Sequence, residues 1–188
     1  MRYNYRIKYP KLLFFIIALV IGFIVFYEGL HYAPLHNFIV SLGYFGTFIG
    51  GLFYAYGFTA PPATAVLLVL AKEQYLILSV LIGGLGAVIS DFLIFKFVRF
   101  SFNDEINRLK KETLIRKIEK MEKKFYGRLY EYIFPTFAGF LIASPLPTEI
   151  GVSMMASIEK LSTKRFLIIA YLLHSLGIAI ILTIGVLI

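Results

Sequence analysis

The stretch ASPLPTEIG, from Ala143 to Gly151, interrupts an otherwise apolar segment with two prolines, two hydroxyl groups and a carboxylate. A lipid-facing helix needs none of these groups, because polar groups in hydrocarbon cost free energy. A broken helix, a pore or a binding site does need them. The stretch therefore predicts a polar site at the middle of a membrane, with these residues in it: Ser144, Pro145, Pro147, Thr148 and Glu149.

The composition indicates an integral membrane protein. Of the 188 residues, 59% are hydrophobic and only 16% are charged, whereas a soluble domain carries about 25% charged residues. The absence of cysteine excludes disulfides and thiol-ligated metal sites, and we expect no metal and no cofactor. The net charge of +8 would suit a nucleic-acid-binding protein, but the basic residues are placed as membrane topology requires, so we expect no nucleic-acid partner.

Three apolar runs are long enough to be full spans, for which about 20 residues are needed. They cover residues 12–30, 75–98 and 166–188. The first run follows a basic tail, residues 1–11, as a signal peptide would. It is too long for the apolar core of a signal peptide, so we predict a retained span.

Two further apolar segments, residues 38–71 and 130–158, are broken by prolines. In the first, Pro61 and Pro62 should end one arm and leave a second arm of about ten residues. Such an arm is about 15 Å long as a helix, which is half of the ~30 Å hydrocarbon core. We therefore predict two re-entrant helical hairpins, with short two-span hairpins as the alternative.

The distribution of basic residues predicts the topology. With a cytoplasmic N-terminus and an external C-terminus, all but one of the 19 Lys and Arg residues fall on the cytoplasmic side, Lys72 being the exception, as the positive-inside rule requires. Residues 101–129 have one apolar face and one basic face, which predicts an amphipathic helix on the cytoplasmic membrane surface. A soluble helical linker is the alternative.

The fold expected is thus an all-α integral membrane protein of the cell membrane, forming a single membrane domain. It has three full spans, two facing re-entrant hairpins and a cytoplasmic amphipathic helix. The hairpins enter from opposite faces, which is the layout of an inverted-repeat transporter. Their tips should face each other across a polar cavity, because non-helical backbone at that depth must be buried in protein or line water.

Three ionisable residues inside these segments are candidates for substrate binding or ion coupling. Glu149 is the first, because a carboxylate at membrane depth costs about 2.5 kcal/mol or more and marks functional cavities; alternatively, it opens a helix, where an acid favours the dipole. Asp91 either serves the site or pairs with Lys96, Arg99 or a backbone group. His174 either relays protons to Glu149 or is a packing residue.

The hydroxyl residues near the two tips are weaker candidates. Ser144, Thr148, Thr59 and Thr64 either bind a headgroup or satisfy backbone groups that the prolines leave free. Lys96 and Arg99 end the second span and are expected to reach the interface. The small-residue run between Gly83 and Ala87 suits close helix packing, within one chain or between copies of a homo-oligomer.

Three motifs resemble the DedA family, also called the VTT or SNARE-associated family. GFTAPPATA, residues 57–65, resembles the family's first re-entrant loop. GAVISDFLIFKFVR, residues 86–99, resembles its small-residue, Gly-Asp, aromatic and terminal Arg pattern. ASIEKLSTKRF, residues 156–166, resembles the segment that ends its second loop. The resemblance implies two facing re-entrant loops and a role in moving lipids across the bilayer, often coupled to protons.

The chain also departs from that family's pattern. The first loop of the family often carries acids, where this chain has Tyr54, Ala55 and Thr64. The second often carries two arginines, near the positions of Ala143 and Glu149. We therefore expect a divergent lipid flippase or scramblase, with membrane lipids and protons as partners. The alternatives are a small-solute or drug exporter, or a non-transporting scaffold acting through residues 101–129.

An enzyme is not expected. The sequence has no paired-aspartate protease signature, no Gly-x-Ser-x-Gly elbow and no two-histidine metal motif.

Overall fold

The computed structural model describes residues 10–101, 135–142, 148–156 and 161–188. All regular secondary structure in these ranges is helical. The helices are α1 (Pro10–His31), α2 (Ala33–Ser41), α3 (Gly43–Tyr54), α4 (Ala60–Leu70), α5 (Leu76–Ser101), α6 (residues 135–142), α7 (Thr148–Ala156) and α8 (Thr163–Leu187). Almost all of the predicted amphipathic helix, residues 102–129, lies outside the described residues, as does the second hairpin tip, residues 143–147.

Helices α1, α5 and α8 are each long and apolar enough to cross a membrane. Their apolar stretches of 19, 24 and 25 residues correspond to about 28–38 Å of helix, against a hydrocarbon core of about 30 Å. Large apolar side chains are exposed along all three helices, as lipid-facing surfaces require. The chain is thus a helical membrane protein, and the three predicted full spans are confirmed as helices of spanning length.

The segment between α1 and α5 is divided into three short helices. Helices α2 and α3 meet at an angle of 91°, immediately before Gly43, whose φ of 52° lies in the left-handed region that glycine adopts without strain. Helices α3 and α4 have 12 and 11 residues, or about 17–18 Å each. They pack side by side, with Gly50 against Leu67. Neither is long enough to cross a membrane alone.

The break between α3 and α4 differs from the predicted one. Helix α3 ends at Tyr54, well before the prolines. Pro61 and Pro62 instead occupy the first turn of α4, where a missing N–H loses no helical hydrogen bond. The prolines therefore start the second arm of this hairpin. The first arm ends because residues 55–59 form a turn.

Helices α5 and α8 form the centre of the molecule and run antiparallel. Phe95 stacks on Phe166, with ring centroids 4.1 Å apart, while Gly83 at the other end faces Ile178. A Cβ atom on Gly86 would lie 2.8 Å from the backbone nitrogen of Leu52 in α3. The glycines of α5 thus permit close packing inside one chain, as the small-residue run predicts.

The short helices cover the two ends of this central pair. Around Ala87 and Ile178, the buried cluster contains residues of α3 and α4, including Tyr54 and Leu67. Around Phe95, it contains residues of α6 and α7 instead; these are Ala138, Ile142, Val152, Met155 and Ala156. Helices α3 and α4 therefore pack against one half of α5 and α8, and the described parts of α6 and α7 pack against the other half.

Helix α1 lies outside this arrangement and packs on α4. A Cβ atom on Gly22 would lie 2.8 Å from the carbonyl carbon of Pro61, and one on Gly29 would lie 2.8 Å from Val69. Two glycines two turns apart thus let α1 approach the first hairpin closely.

Candidate functional site

A buried carboxylate–imidazole pair joins the two central helices. Asp91 of α5 and His174 of α8 place Oδ2 and Nε2 2.8 Å apart, and both side chains are fully buried. His174 lies 11 residues after Thr163 and 13 before Leu187, which puts it about 17 Å and about 20 Å from the helix ends. The pair therefore lies near the middle of a candidate span.

Among the Asp, Glu, Lys, Arg and His side chains that the structure describes, Asp91 and His174 are the only two in the buried class. An ionisable residue in a membrane-spanning helix is expensive and usually serves a function. Removing one partner of a buried pair leaves the other uncompensated, at a cost of about 3–5 kcal/mol in soluble proteins. Packing alone would therefore be achieved at lower cost by apolar side chains at these two positions.

The tip of the first hairpin reaches this pair. Tyr54, the last residue of α3, is fully buried. Its ring lies 5.9 Å from the His174 ring in an edge-to-face arrangement. The Tyr54 hydroxyl and His174 Nδ1 have no hydrogen-bond partner among the described residues. Polar atoms that can still form hydrogen bonds thus lie where the hairpin tip, α5 and α8 meet.

The sequence places Asp91 and His174 among the candidates separately, and the structure brings them together. The sequence offers Lys96, Arg99 or a backbone group as partners of Asp91. The structure places His174, 83 residues further along the chain, in contact with it. For Tyr54, the sequence indicates only a position where the DedA family often has an acid.

The two basic residues of α5 lie away from the pair, towards the helix end. The Lys96 ammonium sits over Phe92, 5.4 Å from the ring centroid. The Arg99 guanidinium donates a 2.8 Å hydrogen bond to the carbonyl of Leu161, which precedes α8. It also sits 5.3 Å from the centroid of the Phe95 ring. Arg99 therefore ties the end of α5 to the beginning of α8.

The hydroxyl candidates of the first hairpin have separate environments. Thr59 donates to the carbonyls of Phe53, at 2.6 Å, and Tyr56, at 3.3 Å. It thus satisfies carbonyls at the end of α3, which are not the groups that Pro61 and Pro62 would leave free. Thr64 lines a cavity of about 430 Å³ between α1 and α4, and its hydroxyl has no hydrogen-bond partner among the described residues. Pro61 and Pro62 lie between these two threonines in the sequence.

A second polar cluster, not foreseen from the sequence, closes the base of the first hairpin. The side-chain oxygen of Gln74 accepts hydrogen bonds from Thr47 in α3 and, at 2.9 Å, from Ser79 in α5. The Tyr44 hydroxyl accepts the backbone N–H of Tyr75 at 3.2 Å. These bonds fix the loop between α4 and α5, and we assign them a structural role.

The predicted second hairpin tip is described only at its flanks. Ser144, Pro145 and Pro147 lie outside the described residues. The described part of α7 begins with Thr148 and Glu149, whose side chains are not among the described ones. Helix α7 is held close to α6 at Gly151, where a Cβ atom would lie 2.6 Å from the carbonyl oxygen of Ala138.

The surface grooves beside the first hairpin are apolar. The groove between α3 and α4 has a volume of about 500 Å³ and exposes no polar surface. In the described part of the chain, no three His, Cys, Asp or Glu side chains are grouped so that they could hold a metal ion. The buried contact between an acid and an imidazole that the described residues form is the Asp91–His174 pair.

Comparison with known proteins yields no match: no family model, no curated protein and no solved structure resembles this chain significantly.

Proposed function

We propose that the protein is a membrane transporter that moves a lipid or lipid-linked headgroup across the bilayer, coupled to protons. The observation that carries this proposal is the buried Asp91–His174 pair near mid-length of two candidate spans, in contact with the tip of a short-helix hairpin. Ionisable groups at such depth line substrate or proton pathways in membrane proteins.

The arrangement of the short helices supports a transporter over a scaffold. Helices α3 and α4 are too short to span, and they pack against one half of the central pair, while α6 and α7 pack against the other half. We propose that both are re-entrant hairpins of opposite orientation that meet at mid-depth. Discontinuous helices of this kind form the substrate sites of inverted-repeat transporters.

A lipid is the favoured substrate for two reasons. The sequence motifs resemble the DedA family, whose members move lipids. In addition, the groove between α3 and α4 is open to the outside and lined by apolar residues such as Phe45 and Phe53, so lipid tails can stay in hydrocarbon while a headgroup passes the polar site. Glu149 remains the candidate coupling residue at the second tip, with Ser144 and Thr148 as candidate headgroup contacts.

The test is transbilayer movement of a fluorescent lipid in liposomes that contain the purified full chain. We expect movement above the protein-free rate. We expect it to be at least tenfold slower with Asp91→Asn or His174→Gln and unchanged with the exposed-loop control Glu73→Gln. Glu149→Gln should remove the dependence of the rate on pH.

A rate equal to that of protein-free liposomes would refute lipid transport. Uptake of a soluble solute by the same liposomes would then favour the exporter. The scaffold alternative is tested in cells that depend on this protein. If charge-neutralising substitutions in residues 101–129 abolished its cellular function while Asp91→Asn and Glu149→Gln left that function intact, the protein would act as a scaffold and not as a transporter.

A further inference from the structure

Building on the proposed transporter function, we propose that His174 Nδ1 is a proton-binding site of the buried pair, and that Tyr54 transmits its occupancy to the tip of the first hairpin. The proposal starts from the two nitrogens of the imidazole ring. Nε2 is held by Asp91 Oδ2 at 2.8 Å. Nδ1 is buried and has no hydrogen-bond partner among the described residues.

This difference assigns separate roles to the two nitrogens. With Nε2–H donating to the carboxylate, Nδ1 carries a lone pair in the neutral imidazole and an N–H in the imidazolium. A proton can therefore add to Nδ1 without breaking the bond to Asp91. The net charge of the pair then changes from −1 to zero, and no other bond forms or breaks.

The described helices around this site bring few other ionisable groups to it. Helix α3 contributes Tyr54 and α5 contributes Asp91. Helix α4 and residues 135–142 of α6 have no ionisable side chain. Helix α7 has one acid, Glu149, whose side chain is not described. Among the described residues, α3, α4 and α6 thus bring no Asp, Glu, Lys, Arg or His side chain to the pair.

Tyr54 links the site to a different element of the fold. Its ring centroid lies 5.9 Å from that of His174, with the ring planes at 76°. In our proposal the imidazole edge meets the face of the Tyr54 ring, where a cation is attracted over about 6 Å. Protonation of Nδ1 makes the imidazole a cation. Since Tyr54 is the last residue of α3, a proton on His174 strengthens the hold of α8 on the hairpin tip.

The chain has only three histidines, His31, His36 and His174, which permits a direct test. The full chain is labelled with ¹⁵N at histidine and placed in lipid nanodiscs, and the imidazole nitrogens are followed by NMR from about pH 5 to about pH 8, where histidine changes charge. The variants His31→Gln and His36→Gln each remove one set of signals. The His174 signals are thereby assigned without changing the site.

We expect the Nδ1 signal of His174 to change from a protonated to an unprotonated nitrogen as the pH rises, while Nε2 stays protonated. Asp91→Asn should lower the proton affinity of His174 about tenfold or more, because the opposite charge is lost. Tyr54→Leu should lower it about threefold, as expected for a cation–ring contact. The matched control Tyr44→Leu removes a tyrosine of the same hairpin that lies at its base, and it should change nothing.

Several results would overturn the proposal. In the wild-type chain, one such result is that both His174 nitrogens keep the same protonation state from about pH 5 to about pH 8. Another is that Nε2, and not Nδ1, changes its protonation state. Equal proton affinities in the wild type and Tyr54→Leu would remove the link to the hairpin tip. Because none of these readouts requires transport, titration without lipid movement would refute only the transporter, and lipid movement without titration would refute only the proton site.

Discussion

The close packing of α5 on α3 leads to a sharp prediction for Gly86. In Gly86→Ala, the added Cβ would lie 2.8 Å from the backbone nitrogen of Leu52 and 3.1 Å from the carbonyl carbon of Phe48. Carbon atoms in contact prefer separations of about 3.5–4.0 Å. Both neighbours are backbone atoms of a helix, so no side chain can rotate away, and the two helices must separate by about 1 Å.

The expected cost follows from the contacts that this separation disturbs. Overpacking of a core costs about 1–3 kcal/mol. The hydrogen bond from Ser90 Oγ to the Leu52 carbonyl, 2.6 Å long, lies one turn away and is worth about 0.6 kcal/mol between membrane helices. Alanine regains up to about 1 kcal/mol as the better helix former. We expect Gly86→Ala to lower the free energy of unfolding by about 1–3 kcal/mol.

Gly139→Ala in α6 is the matched control. Gly139 is also buried and helical, but a Cβ there would lie 3.4 Å from Leu173 Cδ1, which is an ordinary contact with a flexible side chain. It should leave stability unchanged or raise it by up to about 1 kcal/mol. Reversible unfolding by SDS in mixed micelles, followed by far-UV circular dichroism, measures both variants. Equal stability of the two alanine variants would refute the close approach of α5 and α3.

Three further substitutions test contacts at other points of the fold by the same unfolding measurement. Gln74→Leu leaves the buried Thr47 and Ser79 hydroxyls without their acceptor and should cost about 1–3 kcal/mol; Ser41→Ala, which removes an exposed hydroxyl bonded within its own helix, should cost less than about 0.5 kcal/mol. Arg99→Ala removes the hydrogen bond to the Leu161 carbonyl and should cost about 1.5–3 kcal/mol, as for a hydrogen bond to a charged group. A cost no greater than that of Lys96→Ala would contradict a stabilising role for the Arg99–Leu161 hydrogen bond. Ser162→Ala removes the cap of α8, in which the hydroxyl accepts the Arg165 N–H at 3.3 Å, and should cost about 1 kcal/mol, whereas Ser162→Asn should restore the cap.

The long helices could be predicted from the sequence because their signal is local. A run of about 20 apolar residues has few alternatives to a membrane-spanning helix. The predicted bounds of 75–98 and 166–188 lie within three residues of the observed helices, Leu76–Ser101 and Thr163–Leu187. The orientation deduced from the basic residues and the inverted repeat stay predictions.

The break in the first hairpin was harder to locate because two signals compete there. Adjacent prolines are a strong sign of interruption, yet the first turn of a helix accepts them, and the sequence does not say which applies. The 91° bend at Gly43 was missed for a related reason. A glycine that uses its left-handed conformation looks, in a sequence, like one that permits close packing.

The pairing of Asp91 with His174 is a tertiary contact, and no local pattern encodes it. Depth could have suggested it. Asp91 lies eight residues before Arg99, and His174 lies eight residues after Phe166. In two antiparallel helices whose basic ends are level, these residues come to the same height. Such counting does not show which faces of the two helices meet. The choice of faces depends on the glycines of α5 and on the helices that pack against α5 and α8.

The position of the polar site follows from the shortness of the outer helices. Helices α3 and α4 each cover about 17–18 Å, roughly half the length of α5, so their free ends fall near the middle of the central pair. Helix ends carry backbone groups without helical partners, which hydrocarbon cannot satisfy. Thr59 satisfies part of this need at the first tip. The free ends of α3 and α4 therefore place polar backbone groups at the same depth at which Tyr54 meets His174 and Asp91. The broken helices already require a polar environment at this depth, and the proposed proton site uses the same environment.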